Sequence, residues 1–285
     1  MSAIASHPDV QRLIAIALEE DVGTGDVTTD SLVPADRMAT AVILTREDIV
    51  VSGGAVAIAV FNAVDPALTI ETVIADGQAA KRNDVILRIQ GPAASILIAE
   101  RTALNFMQRL SGVATLTESF TRLTAPYGTQ ILDTRKTTPG YRRLEKYAVQ
   151  CGGGANHRMG LYDRVLIKDN HRRLWSEQNR GGLDAAVDAA RARHPEVAIE
   201  IEVESLEELK QVLLTEPDWV LLDNMSPDIM KQCVDLCSGR CKTEASGGIT
   251  LETVEAAAAT GVDAISLGCL THSAPSVDLS LEMEL

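Results

Sequence analysis

Aromatic side chains are nearly absent from this chain: they make up 3% of 285 residues, against a hydrophobic fraction of 46%. Its core must therefore be built from Ala, Val, Leu and Ile, which fits stacked α/β layers and excludes an aromatic-rich binding surface. Positive charge is also in short supply. The formal net charge is −14, so general nucleic-acid binding, which needs a basic surface to neutralise phosphates, is excluded. No apolar run reaches the roughly 20 residues of a membrane span. The N-terminus lacks the basic flank and apolar stretch of a secretory signal. A cytoplasmic protein with no membrane or nucleic-acid partner is the expectation. The five cysteines are an odd number without such a signal, which predicts reduced thiols. Cys233, Cys237 and Cys241 are spaced by four. The first two share a helix face and Ser238-Gly239 ends that helix, so the three read as ordinary thiols rather than a metal cluster.

What positive charge exists is concentrated. Between Arg135 and Arg173 stand ten Lys or Arg against three acids, a local net charge of +7 inside a chain of −14. The segment opens with a short apolar strand ending in Asp133-Thr134-Arg135-Lys136, then a Pro-Gly turn, a basic helix and the glycine run 152–154. Asn156-His157-Arg158 follows, and a second apolar strand ends in Lys168. Cations gathered beside strand ends and glycines point to a site for an anionic small molecule.

The hydrophobic period divides the chain near Ser111-Gly112. Before it, a helix over 8–20 gives way to a turn-rich loop at 20–26. Strand-like runs follow at 38–45, 49–53, 68–74 and 84–89, with an apolar helix around Val60, and then a helix over 92–110. This predicts an α/β domain of antiparallel type. After it, strands near 130–133, 165–168, 198–203, 219–223, 242–245 and 263–267 alternate with helices at 182–193, 205–214, 226–237 and 250–260. Such alternation predicts a parallel sheet closed or nearly closed into a barrel. A short seventh strand is expected around 152–154.

Each barrel strand ends in chemistry: Arg135-Lys136, Lys168, Glu202, Asp223-Asn224, Ser246-Gly247-Gly248 and Gly268. In a βα barrel those ends converge on one mouth. Ser246-Gly247-Gly248 before a helix, and Ser266-Leu267-Gly268, resemble a phosphate cradle, since glycines let backbone N–H groups approach an anion. Glu202 and Asp223 suit sugar hydroxyls or a hard cation, or an ion pair with Lys168 or Lys136. Glu200 and Glu204 share their parity with Glu202, and spacing alone does not rank the three. Arg135, Lys136, His157, Arg158 and Lys168 fit a polyanion of their own, although a lone strand-end Lys also fits a Schiff-base nucleophile.

Longer motifs narrow the choice. The run RKTTPGYRRLEKYAVQCGGGANHRMGLYDRVLIKDNH closely resembles the quinolinate phosphoribosyltransferase family, as do ALEEDVGTGDVTTDSLVP, AERTALNFMQRLSGVAT, IEVESLEEL, LLDNMSP and EASGGITLETVEAAAATGVDAISLG. The resemblance covers essentially the whole chain in one order. It implies an N-terminal α/β sandwich-like domain (1–112) rejoined by a tail (272–285), and an incomplete, seven-stranded αβ barrel (113–271). It implies decarboxylating transfer of phosphoribosyl from phosphoribosyl pyrophosphate to quinolinate, on the route to NAD. Arg101, Thr134, Arg135, Lys136, His157, Arg158 and Lys168 are the implied quinolinate site. Lys136, Glu202 and Asp223 are the implied catalytic residues. Glu202, Asp223, Ser246, Gly247, Gly248, Leu267, Gly268 and Cys269 are the implied ribose and phosphate site. Mg²⁺ is implied mainly through the substrate, with Glu202 and Asp223 as protein ligands, in a homodimer where Arg101 acts across the interface. The competing readings are a nicotinate-using or molybdenum-associated paralogue and an inactive ligand-binding homologue.

Overall fold

A computed structural model describes residues 3–178 and 181–284. In chain order the elements begin α1 (Pro8–Val22), α2 (Val27–Leu32), β1 (Met38–Thr45), β2 (Ile49–Val50), α3 (Gly54–Val64), β3 (Thr69–Thr72), β4 (Ala79–Ala80), β5 (Val85–Pro92) and α4 (Ala93–Thr124). They continue with β6 (Gln130–Leu132), α5 (Arg142–Cys151), β7 (Val165–Ile167), α6 (Asp169–Glu177), α7 (Leu183–Arg193), β8 (Ile199–Val203), α8 (Leu206–Val212) and β9 (Trp219–Asp223). The last are α9 (Pro227–Cys237), β10 (Lys242–Ser246), α10 (Val254–Ala258), β11 (Ala264–Ser266), α11 (Cys269–His272) and β12 (Leu279–Glu284).

Two compact units result. The first comprises Met1–Glu118, Thr137–Gly153 and Cys269–Leu285; the second comprises Ser119–Lys136 and Gly154–Gly268. In the first unit an antiparallel sheet runs β12-β1-β5-β3, and β2 pairs with β4. The C-terminal strand enters it opposite β1, with Thr40 facing Glu284 and Thr45 facing Leu279. Capping sets the local helices. Asp26 accepts from the N–H groups of Thr28 and Thr29 and opens α2 directly after the turn-rich loop at 20–26. The Asp76 carboxylate accepts from Gly54 N–H at 2.8 Å at the start of α3.

The segment 137–153, expected in the barrel, belongs to this first unit, and its contacts say why. Glu145 is fully buried and takes a hydrogen bond from Arg109 Nη2 at 2.7 Å. Arg143 pairs with Asp9, Tyr147 donates to Asp76 at 2.8 Å, and Phe106 stacks on Tyr141. The cations of α5 therefore serve this packing: even Lys146 is buried.

Helix α4 runs through Ser111-Gly112, where the sequence predicted a stop. Ser111 Oγ accepts from Ser52 N–H and donates to Ser52 C=O, each at 3.0 Å. A Cβ on Gly112 would stand 1.9 Å from the Pro275 carbonyl oxygen. The glycine is thus required by close backbone approach, not by helix termination. Gly152 has the same role, since a Cβ there would lie 2.3 Å from Ala114 O.

In the second unit all six strands pair in parallel, in the order β6-β11-β10-β9-β8-β7. The expected seventh strand is reduced to one bridge, Ala155 beside Leu132. Ala155 N–H donates to Ile131 O at 2.8 Å, and Asp133 N–H donates to Ala155 O at 3.2 Å. Among the described residues no pairing joins Ala155 to β7, so the barrel is six strands and a bridge rather than seven strands. Ile199, Ile201, Val203, Val220, Leu222, Ala245 and Ile265 are buried. Strand β8 nevertheless alternates Ile-Glu-Ile-Glu-Val with every residue buried. A parallel strand covered on both faces normally reads as a continuous apolar run, so its two interior glutamates set one face of this strand apart from plain packing.

Replacing Gly112 or Gly152 by Ala is expected to destabilise the protein by about 1–3 kcal/mol through overpacking. The measurement is the urea midpoint at unchanged m-value, and a midpoint equal to that of the unmodified chain would refute the close-approach reading.

Candidate active site

Parallel register brings the carboxyl ends of the strands to one rim, where Asp223 lies beside Ser246 and Ser246 beside Ser266. There they enclose a cavity of about 460 Å³. Thr134, Arg135 and Lys136 enter it after β6, His157 and Arg158 after the Ala155 bridge, and Lys168 after β7. Glu202, Asp223, Asn224, Ser246, Gly247, Gly248 and Ser266 complete the rim, above Leu166, Leu221 and Glu244 from within the strands. The cavity has a cationic half and a half of carboxylates and glycines.

Local hydrogen bonds fix both halves. Buried Asp133 accepts from His157 N–H at 2.9 Å and from Asn156 Nδ2 at 2.6 Å, tying the Asn156-His157-Arg158 segment to the end of β6. Thr134 Oγ1 accepts from Lys136 N–H at 3.0 Å. Arg158 Nη1 donates to the Arg164 carbonyl at 3.1 Å. Burial, and then the neighbouring Arg135 charge, push the Arg158 guanidinium down from its ordinary value. Two guanidinium groups crowded in this way are relieved by an anion. On the other side Lys168 donates to Glu202, the ion pair anticipated as one role for that carboxylate. Asn224 takes a φ of +54°, donates its N–H to Ser246 O at 2.9 Å, and donates from Nδ2 to Asp223 Oδ2 at 2.8 Å. A Cβ on Gly247 would lie 2.2 Å from Asn224 Oδ1. The group orienting Asp223 thus also demands a glycine in the cradle.

The helix expected over 250–260 is shorter: α10 begins only at Val254. Thr253 Oγ1 instead accepts Thr250 N–H in an intervening turn. The loop Ser246-Gly247-Gly248 therefore lacks a helix start immediately behind it, and what it offers an anion is its backbone, where Gly247 and Gly248 have φ of +92° and +64°.

Beneath the rim lies a buried ionic layer that the spacing left unresolved. Of the three glutamates, Glu202 reaches the cavity, Glu204 is exposed, and Glu200 is fully buried. Glu200 Oε2 stands 3.0 Å from His157 Nε2 and 3.3 Å from Arg164 Nη1, while Glu244 Oε2 is 3.4 Å from His157 Nε2. Arg164 lies over the Trp219 ring at 5.1 Å. Burial pushes the Glu244 carboxyl well above the ordinary carboxylate range, with the adjacent Glu200 charge adding to it. At Glu200 burial acts upward too, but electrostatic and hydrogen-bond contacts with His157 and Arg164 outweigh it and the net direction is down. Of the two, Glu244 is thus the carboxyl pushed toward its neutral form and Glu200 the one held toward its charged form. His157, Glu200 and Glu244 converge closely enough to hold a metal ion. Arg164 fills that role with a guanidinium, 3.3 Å from one carboxyl oxygen and 3.9 Å from the other.

Other residues named from the sequence lie elsewhere. Arg101 is exposed on α4 in the other unit, and Leu267, Gly268 and Cys269 are not among the residues that line this cavity. His157 does line it, but both its ring nitrogens face protein partners. Of the cations between Arg135 and Arg173, only Arg135, Lys136, Arg158 and Lys168 line it; Arg172 pairs with Glu208 and Arg173 with Glu177. Leu166, Leu221 and Glu244 were not anticipated. Their signal was present: each stands two residues before a rim residue and so faces the same interior.

Comparison with known proteins agrees with this geometry. Residues 26–111 match the family profile of the quinolinate phosphoribosyl transferase N-terminal domain, and residues 113–282 match that of its C-terminal domain. The chain is 40% identical over 282 residues to a probable nicotinate-nucleotide pyrophosphorylase [carboxylating] of Bacillus subtilis (strain 168), covering 98% of this chain and 95% of that one. It is 42% identical over 301 residues to the chloroplastic nicotinate-nucleotide pyrophosphorylase [carboxylating] of Arabidopsis thaliana, covering 98% and 84%. Among solved structures, the nicotinate-nucleotide pyrophosphorylase from Francisella tularensis superposes with a TM-score of 0.91 at 40% identity, covering all of both chains.

A raised Glu244 carboxyl has a thermodynamic signature. Its folded value is raised, so its contribution to stability is complete below the unfolded carboxyl range and is lost as pH rises toward the folded value. Glu244→Gln cannot ionise. Its stability relative to the unmodified protein is expected to climb with pH above about 4.5, by at most about 1.4 kcal/mol per unit. Urea unfolding at several pH values checks this, and a difference independent of pH would mean that Glu244 is ionised in the fold.

Proposed function

This chain belongs to the quinolinate phosphoribosyltransferase family, and from that premise we propose that it transfers phosphoribosyl from phosphoribosyl pyrophosphate to quinolinate with loss of CO₂. The products are nicotinate mononucleotide, pyrophosphate and CO₂, and the reaction feeds NAD synthesis. The observation that carries this reading is the division of one cavity between Arg135, Lys136, Arg158 and Lys168 on one side and Glu202, Asp223 and Ser246-Gly247-Gly248 on the other. A pyridine dicarboxylate needs the first set; a phosphorylated sugar needs the second.

The chemistry asks little else of the protein. The pyridine nitrogen already carries a lone pair, so attack on the anomeric carbon of the ribose needs no general base. In this reading Arg135, Arg158 and Lys168 hold the quinolinate carboxylates, with the forked guanidinium groups fixing the ring plane. Lys136 stands where carboxylate and pyrophosphate charges meet. Glu202 and Asp223 hold ribose hydroxyls, and Asn224 keeps the Asp223 carboxylate oriented. The glycine loop cradles the 5′-phosphate. Once the ring nitrogen is alkylated it is cationic, so the C2–CO₂ bond breaks with its electron pair retained at C2 as an ylide. A proton then adds at that carbon. Developing charge on the departing pyrophosphate is met by the Lys and Arg side chains.

The donor set fits Mg²⁺ in a shared role. Glu202 and Asp223 are hard oxygen ligands on one wall, too few for a protein cage but suited to an ion that also takes phosphate oxygens. Bound there, Mg²⁺ would supply charge neutralisation on the pyrophosphate. The reading extends to a cytoplasmic homodimer in which Arg101 completes the site of the partner; its support is the exposure of Arg101 on a helix whose adjoining positions 102–104 are buried.

The direct test is release of CO₂ from carboxyl-labelled quinolinate with phosphoribosyl pyrophosphate and Mg²⁺, beside nicotinate as sole acceptor. Release that needs all three components is expected; a mononucleotide formed from nicotinate alone would reassign the substrate. Substituting Arg135 or Arg158 by Gln is expected to raise the KM for quinolinate about 10- to 100-fold, the value of a charge-assisted hydrogen bond of about 1.5–3 kcal/mol. An unchanged KM would remove that residue from the quinolinate site.

A further inference from the structure

His157 lines the cavity among cations, yet its ring is spoken for. Arg158 N–H donates to Nδ1 at 2.7 Å, and a backbone N–H can only donate, so Nδ1 carries a lone pair. A ring with a lone pair on Nδ1 bears its proton on Nε2. That nitrogen faces Glu200 Oε2 at 3.0 Å, Glu244 Oε2 at 3.4 Å and Arg164 Nη1 at 3.4 Å. An imidazolium would set two N–H groups against each other at Nδ1. The ring therefore enters the site uncharged, with both nitrogens committed to the protein.

We propose that His157 is a positioning residue: its neutral ring joins the buried Glu200–Arg164 pair to the Arg158 backbone and so aims the Arg158 guanidinium at a quinolinate carboxylate. This rests on the substrate reading above, but assigns His157 a different part from that of a carboxylate-binding cation. The chain of contacts is continuous. Asp133 fixes the His157 backbone, Glu200 fixes the ring, and Nδ1 fixes the next peptide N–H. The Arg164 carbonyl then receives Arg158 Nη1. Arg164 serves at both ends, since its guanidinium contacts Glu200 and its backbone contacts Arg158. Such outer partners hold a binding group within the small tolerance that recognition requires.

The experiment uses the full-length protein labelled with ¹⁵N-histidine, the His157 resonances being those lost in His157→Gln. One protonated and one unprotonated ring nitrogen at neutral pH, unchanged in pattern when quinolinate is added, is the expected result. Two protonated nitrogens, or a second proton gained on adding quinolinate, would overturn the proposal. Kinetics supply a second arm on variants shown to be folded by near-ultraviolet circular dichroism. Asn at 157 retains an acceptor near the Nδ1 position, whereas Gln retains only the donor toward Glu200. His157→Asn is therefore expected to keep the KM for quinolinate within about threefold, while His157→Gln raises it about tenfold or more, each leaving the KM for phosphoribosyl pyrophosphate unchanged. Equal losses in both variants would return His157 to the role of a cation. Absence of CO₂ release from the unmodified protein would sink the substrate reading instead, and would leave the tautomer result standing.

Discussion

Parallel pairing carries the carboxyl end of every strand in the second unit to the same rim, and the site depends on that constraint. Residues scattered from Thr134 to Ser266 become neighbours because register places Asp223 beside Ser246 and Ser246 beside Ser266. No single loop could concentrate two guanidinium groups, two lysines, two carboxylates and a glycine cradle in one cavity. Six strand ends and the segment after the Ala155 bridge can, each contributing one to four residues.

Concentrated charge has a cost that the layer below offsets. An ion buried without a partner is destabilising by several kcal/mol, yet Glu200, Glu244 and Arg164 lie inside the barrel beneath the cavity. They remain tolerable because burial pushes Glu244 toward its protonated form, Glu200 pairs with Arg164 and His157, and Arg164 lies over the Trp219 ring. With Glu244 pushed toward its neutral form, the layer adds little net charge beneath the cations of the rim.

Glycines in this protein are dictated by what approaches them. Gly112 and Gly152 sit where a backbone carbonyl of another segment leaves no space for a methyl group, and Gly247 yields to the side chain that orients Asp223. At Gly112 the local rule that glycine ends a helix gave the wrong answer, because the requirement came from Pro275, far away in sequence.

How much was legible follows the range of the interactions. Alternation of period gave the strands and most helices, and polar residues at strand ends gave Arg135, Lys136, Lys168, Glu202, Asp223 and the Ser246 loop, because both patterns are written in adjacent residues. The local sequence also carried long motifs specific enough to identify the family. What it did not settle was which of Glu200, Glu202 and Glu204 reaches the cavity, that burial raises the Glu244 carboxyl, that α5 packs with the first unit, and that His157 is held from both sides. Each of those is decided by groups distant in the chain that meet only when the sheet assembles, and burial and charge have no value until those neighbours are in place.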